Sequence, residues 1–312
     1  MRVVVEAWDP SYGTPVEGEA LTDPATEVNL AVEVELADWA PRRPAASATA
    51  PDVVVFVDGV RRVDARVWVR ADDDPNGTGA QPGLCASWAA GAVRCEPGGA
   101  RIGAVELGRG LFSASRHATD LVTPHGTYGT CMARSSAPEV LSLALQERMG
   151  AAERVAAERA ADGAAALVVV DGPLRGRQHL TGVVGMVKTH HTAYLCGDAL
   201  AVLAALQPGE RTPAFTVGTS WTRHSWYVRL PGPAGAPLAG VVRCECPAEV
   251  APAALTGLAD VTAVVLPHYA SEAHKDPRAP QNLYPIAGLE RELRRRLGDP
   301  ALLHRALRVA AA

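Results

Sequence analysis

"LVVVDGPLRG", Leu167–Gly176, runs four apolar residues into an Asp-Gly pair and then turns polar. The chain spells nearly the same thing earlier, in "VVVFVDGVRR", Val53–Arg62. A short, near-continuous run of Val, Leu and Phe reads as a strand buried on both faces. Asp-Gly after such a run reads as the turn that stops it. Two distant strands thus end on the same acid, and the segments around them decide whether those acids meet.

Working outward, residues 1–40 alternate apolar and polar, most clearly in "EVNLAVEVEL" (Glu27–Leu36), and predict short strands. "APRRPAASATAP" (Ala40–Pro51) is a linker by its Pro, Ala and Ser content. Residues 1–50 are therefore expected to form a β-rich N-terminal extension, and residues 51–312 the main domain. Beyond the first Asp-Gly, "RRVDARVWVR" (Arg61–Arg70) and "LCASWAAGAVRCE" (Leu84–Glu96) predict a hairpin with a long polar loop. A further strand is expected at Arg101–Gly110. The period then changes, and Ala137–Gly163 is helical in propensity with a glycine stop.

After the second Asp-Gly come a strand within Leu180–His191, a helix at Gly197–Leu206 and a hairpin from "SWTRHSWYVRL" to "LAGVVRCEC". Helices follow near Ala248–Leu258 and at "PIAGLERELRRRLG", where Pro285 suits a first turn. Gly298-Asp299-Pro300 stops one helix and caps the next. A strand meander before a single helix crossover describes a mixed α/β sheet flanked by helices rather than a doubly wound one. That order is the strand grammar of an RNase H-like fold. There the first strand and the strand after the first helix lie side by side, which brings Asp58 and Asp171 to one edge.

Composition bounds the function. The chain has 312 residues, 48% hydrophobic and 21% charged, the profile of a soluble globular protein. No apolar run approaches the ~20 residues of a membrane span, and Glu6 and Asp9 break up any signal peptide. The six cysteines are scattered without metal-knuckle spacing and read as reduced thiols of a cytoplasmic protein. A net charge of −4 is not the basic footprint of a stand-alone nucleic-acid binder. No phosphate loop, dinucleotide fingerprint or nucleophile elbow is spelled, so no nucleotide cofactor is expected.

Carboxylates held close together raise one pKa or demand a cation. Mg²⁺ and Mn²⁺ take oxygen ligands and suit an aspartate pair at adjacent strand ends. A pair of such ions would clamp both the attacking and the leaving oxygen of a phosphodiester. The same spelling also fits two ordinary turns. Within the helix, Leu141, Leu145, Met149, Ala152 and Ala156 form one stripe. Glu153 flanks it as the candidate third carboxylate, while Glu147 and Glu158 point away. "LPHYASEAHK" offers His268, Tyr269 and His274, able to serve as ligand or proton shuttle. Arg175, Arg177, His179, Lys188, His190 and His191 form a local basic patch, readable as phosphate contacts or as a solvated rim. In "ERELRRRLG", Glu290–Arg294 and Glu292–Arg296 are i,i+4 pairs and read as a solvated helix face.

Together these stretches resemble the NurA nuclease family. The likeness rests on "VVVFVDGVRRVDARV", on "LVVVDGPLRGRQHLTGVVGMVKTHHTAYL", on "WYVRL…GVVRCECP" and on "HYASEAHKDPRAPQNLYPIAGLERELRRRLGD". It implies an RNase H-like core and Mn²⁺-dependent exonuclease and single-strand endonuclease activity on DNA; the carboxylates themselves suit Mn²⁺ or Mg²⁺, with two ions expected. The resemblance further implies a homodimer and work beside a HerA-type hexameric ATPase in DNA-end processing, in repair or anti-phage defence. Carried over, Asp58, Glu153 and Asp171 are the metal ligands and His274 the assisting histidine. Tyr269 matches a family tyrosine less clearly; from the basic patch itself, Lys188, Arg175 and Arg177 are expected to contact phosphate. Two other readings stay open: a non-catalytic RNase H-like adaptor that docks on the ATPase ring, and a small-molecule hydrolase using the same acids.

Overall fold

A computed structural model describes residues 26–72, 76–161, 167–177, 179–180, 182–190, 192–219, 221–232 and 238–311. Contacts divide the chain into two compact units. One gathers the chain up to Phe56, the short Arg94–Ala100 and the long Ala161–Ala287; the other holds Val57–Val93, Arg101–Ala160 and Gly288–Ala312. The described residues form a mixed α/β fold with eleven strands.

In the first unit the strands are β1 (Glu27–Asn29), the start of β2 (Val54–Val69), β7 (Leu167–Asp171), β8 (Val183–Val187), β9 (Phe215–Gly218), β10 (Thr222–Arg229) and β11 (Val241–Pro247). Their order is β1-β9-β10-β11-β8-β7-β2. β7 and β8 are parallel, whereas β9, β10 and β11 form the antiparallel meander that the predicted hairpin announces. Strand alternation sends Tyr227 and Trp226 to opposite faces. Tyr227 joins Phe215, Val217 and Leu203 of α2 (Gly197–Ala205) in one core. On the other face the Trp226 indole donates to Thr262 of α3 (Pro252–His268) at 2.8 Å. That helix begins later than expected and takes in the apolar run "VTAVVL".

The second unit carries most of β2, then β3 (Gln81–Glu96), β4 (Gly99–Ser113), β6 (Gly126–Met132) and β5 (Leu121–Thr123), in the order β2-β3-β4-β6-β5. Leu141 and Leu145 of α1 (Pro138–Ala161) pack on Leu84, Ala86 and Phe112. Leu307 of α5 (Pro300–Ala310) packs on Cys85, Leu111 and Tyr128, the opposite set of alternating positions. Between them in sequence runs α4 (Tyr284–Arg296), whose Ile286, Leu289 and Leu293 are fully buried. Asp299 caps α5 by accepting from the amides of Ala301 and Leu302, as its spelling predicts.

Two expectations are corrected here. β2 is a single strand of 16 residues, so Asp58-Gly59 does not end it; Asp58 is in mid-strand and only Asp171 stands at a strand terminus. The expected run Glu27–Leu36 shrinks to Glu27–Asn29, antiparallel to β9. Beyond it the chain bends inward because the buried Arg211 guanidinium binds both Glu33 oxygens at 2.8 Å. Burial alone would push the Glu33 carboxyl up, but Arg211, the Ala214 amide and Arg42 hold it below the usual carboxylate range. Among residues 26–50, extended pairing is thus confined to β1 and a bridge at Arg42, while Trp39 joins the core of the first unit. Residues 1–25 lie outside the described residues.

Candidate functional site

In the second unit, the β2 backbone exposes alternate positions to its two faces. Asp58 is buried, and its carboxylate accepts from the amide of Gly59 at 2.7 Å. On α4 the carboxylate of Glu290, also buried, lies within 4.8 Å of it. α4 is held there from its far end. Arg62, on the same alternation as Asp58, donates to the carbonyls of Gly298 at 2.8 Å and Leu297 at 3.3 Å. Arg109 adds a second donor to Leu297. Arg62 is itself fixed by Asp64 at 2.8 Å, and Asp64 is gripped by Ser87 and Tyr128. Burial, then the Asp64 charge, push the Tyr128 hydroxyl up to about 12, so it stays a proton donor to that carboxylate.

Gly59 faces the other way, toward α1. A side chain there would put its first carbon 2.5 Å from Glu153 Oε1, so glycine leaves the space that the Glu153 carboxyl fills. Glu153 is therefore buried against the residue next to Asp58, on the buried face of α1 rather than its flank. A buried pair of carboxylates such as Asp58 and Glu290 is a setting that a cation can stabilise. Hard oxygen donors of this kind suit a divalent ion such as Mg²⁺ or Mn²⁺.

In the first unit, Asp171 closes β7, opposite Met186 of β8. Gly172 then turns the chain with φ 102, a left-handed value that favours glycine. The loop folds back over Gly185, where a side chain would strike the Gly172 carbonyl, Leu174 and Glu245. Fully buried Glu245 accepts from the Leu174 amide at 2.7 Å and pairs with Arg243 at 2.6 Å and Arg223 at 3.0 Å. Tyr194 stacks on both guanidiniums. On the Asp171 carboxylate itself sits Lys188, its ammonium 2.5 Å from Oδ2 and 2.8 Å from Asn282 Oδ1. Asn282 in turn donates to Asp276 at 2.8 Å.

The other predicted residues fall as follows. Among its described residues the basic patch is mostly not on the surface: Arg177, Lys188 and His190 are buried, while Arg175 and His179 are exposed. Arg177 donates to the Pro173 carbonyl and His190 meets the Val241 carbonyl, so both serve the loop and the core. His191 lies outside the described residues. Tyr269 ends α3 and packs edge-on against Phe56 at 4.9 Å, and burial together with Cys95 pushes its hydroxyl up. His274 is exposed and faces Glu272 at 3.5 Å. Glu290 is the residue that sequence reasoning missed. Its Arg294 partner, 3.8 Å away, is the solvated pairing foreseen, yet the carboxylate itself is buried.

The fold and these residues define a mixed α/β protein with buried carboxylates gathered on a strand and a helix. The chain belongs to the NurA domain family, whose sequence profile matches residues 113–295. That span includes Glu153, Asp171, Lys188 and Glu290, while Asp58 precedes it. Among solved structures, the NurA nuclease from Sulfolobus solfataricus is similar at 10% identity and a TM-score of 0.47, covering 85% of this chain and 87% of that one. No curated protein matches the chain. Among the described residues no helix is long and apolar enough to cross a membrane.

Proposed function

We propose that this protein is a metal-dependent deoxyribonuclease in which Asp58, Asp171 and Glu290 hold a divalent cation. The observation that carries the reading is the buried Asp58–Glu290 carboxylate pair, within 4.8 Å. Asp171 is carried as the third ligand from its sequence reading, as the acid that ends β7 in the first unit. When bound, the metal supplies Lewis-acid polarisation of a phosphodiester and lowers the pKa of its water. Asp58 and Glu290 lower the cost of their own burial by sharing that charge. Glu153, the helix carboxylate expected as a ligand, is buried beside Gly59, on the side of the strand opposite to Asp58. Mn²⁺ or Mg²⁺ both suit an all-oxygen site.

An RNase H-like core, a cytoplasmic homodimer and a HerA-type ATPase partner complete the reading. Exposed Trp68 on β2 supplies apolar surface for a second copy. The net charge of −4 favours a partner that delivers DNA, whether for repair or for defence. Exposed Arg175 is the remaining candidate for a phosphate contact, and exposed His274 would act only on an incoming substrate.

The test is cleavage of linear and single-stranded DNA with Mn²⁺, with and without the ATPase, beside Asp58→Ala, Asp171→Ala and Glu290→Gln. Each variant is expected to lose activity. Mn²⁺ should raise the melting temperature of the wild type, a gain that Glu290→Gln abolishes. Equal cleavage by all four proteins would sink the nuclease reading. The adaptor reading has one observation in its favour, that Asp171 is already paired with Lys188. ATPase binding without cleavage would establish it.

A further inference from the structure

Lys188 is nine-tenths buried, and its ammonium spans Asp171 Oδ2 at 2.5 Å and Asn282 Oδ1 at 2.8 Å. A lysine is rarely buried unless its charge is met, and here it is met by a carboxylate expected to serve a metal. We infer that Lys188 is a built-in counter-ion that pairs with Asp171 in the metal-free protein and competes with the divalent cation for it. The inference rests on the metal reading above and adds a competing charge to it.

The surroundings of Lys188 are arranged for that purpose. Asn282 donates through Nδ2 to Asp276 Oδ2 at 2.8 Å, and this fixes its amide so that Oδ1 faces the ammonium. Asp276 is steadied in turn by the Arg278 amide at 2.8 Å. Gln281 clamps the Lys188 carbonyl at 3.0 Å and that of Val241 at 3.2 Å, so the lysine backbone is tied to the sheet. The stem cannot swing far; only the head can be displaced. Asp171 is held independently by the β7–β8 ladder, and its loop by Glu245, so the carboxylate does not depend on Lys188 for its place.

This independence decides the sign. Were Lys188 an orienting partner, its loss would weaken metal binding about 10- to 100-fold, as loss of such partners does. As a competing charge, its loss should tighten binding instead, because a fixed ammonium on the same carboxylate opposes a dication. The metal-free protein, deprived of its counter-ion at Asp171, should become less stable, and metal should restore it.

The experiment is Mn²⁺ binding to the full chain, followed by electron paramagnetic resonance and by melting temperature, for the wild type, Lys188→Met and Asn282→Ala. Lys188→Met is expected to bind Mn²⁺ about tenfold more tightly, to melt lower without metal and to gain more from it. Asn282→Ala, which keeps the charge but loosens its anchor, should shift the same way by less. It serves as the test if Lys188→Met fails to fold. Binding by Lys188→Met with none by the wild type would support the inference most strongly. Unchanged or weaker binding in both variants, with the wild type binding normally, would overturn the inference and leave the metal reading standing. No binding by any of the three would overturn both.

Discussion

Asp58-Gly59 and Asp171-Gly172 are spelled alike and built differently. At the first, the strand runs on, and glycine serves the opposite face by leaving room for Glu153. At the second, the strand stops, and glycine serves the backbone by turning it at φ 102. One aspartate is therefore held by a continuous ladder and faces an acid, Glu290, while the other sits at a chain reversal and faces a base, Lys188. A strand-end acid keeps its position through its loop; a mid-strand acid keeps it through the neighbouring strands. The same dipeptide can thus deliver a carboxylate by two unrelated routes.

The comparison is broken most severely by removing the acids. Asp58→Ala and Asp171→Ala are each expected to lower DNA cleavage about 10³-fold or more, since a metal accounts for several kcal/mol of barrier. A loss confined to one of them would show that only one route leads to the metal. Next in size is Glu245→Gln, which leaves Arg223 and Arg243 buried without their carboxylate. Urea unfolding should register a loss of about 3 kcal/mol, and an unchanged midpoint would mean that the Asp171 loop needs no such anchor.

Gly59→Ala follows, with an expected cost of about 2 kcal/mol from overpacking against Glu153. Shortening the partner in Gly59→Ala/Glu153→Ala should recover part of that cost, which separates a packing conflict from a backbone one. Gly172→Ala is the mildest, at about 1 kcal/mol, because the strain is local and nothing lies within 4 Å of the added methyl. No second-site shortening should relieve it. If both glycines responded alike to such relief, the distinction drawn here would fail.

Much of this was legible in the sequence where local chemistry decides structure. The α4–α5 corner follows from Pro285, Gly298 and Asp299, whose preferences act within one turn of their own backbone. β7 was legible because five residues bounded by a glycine need no tertiary help to end. β2 was not, because its continuation past Gly59 depends on neighbouring strands, which supply partners that no local rule foresees. Glu290 was misread for a similar reason. An i,i+4 arginine makes a helix face look solvated, yet burial is set by what packs on the helix. The helical wheel singles out Glu153, and it is indeed buried at Gly59. The stripe itself could not show that it meets the strand on the side opposite to Asp58.

The Arg62 clamp has a consequence for how this chain can vary. Asp58 and Arg62 mark off about 13 Å of strand, while Glu290 and Leu297 mark off about 10 Å of helix, close to two full turns. Strand and helix are fastened together at the Arg62–Leu297 end and compared at the other, like two rulers read against a common zero. A single residue inserted between Glu290 and Leu297 would turn the glutamate about 100° around the helix and carry it off the aspartate. Substitutions along that stretch are tolerable in principle, but its length is not free, so the spacing itself is part of the site.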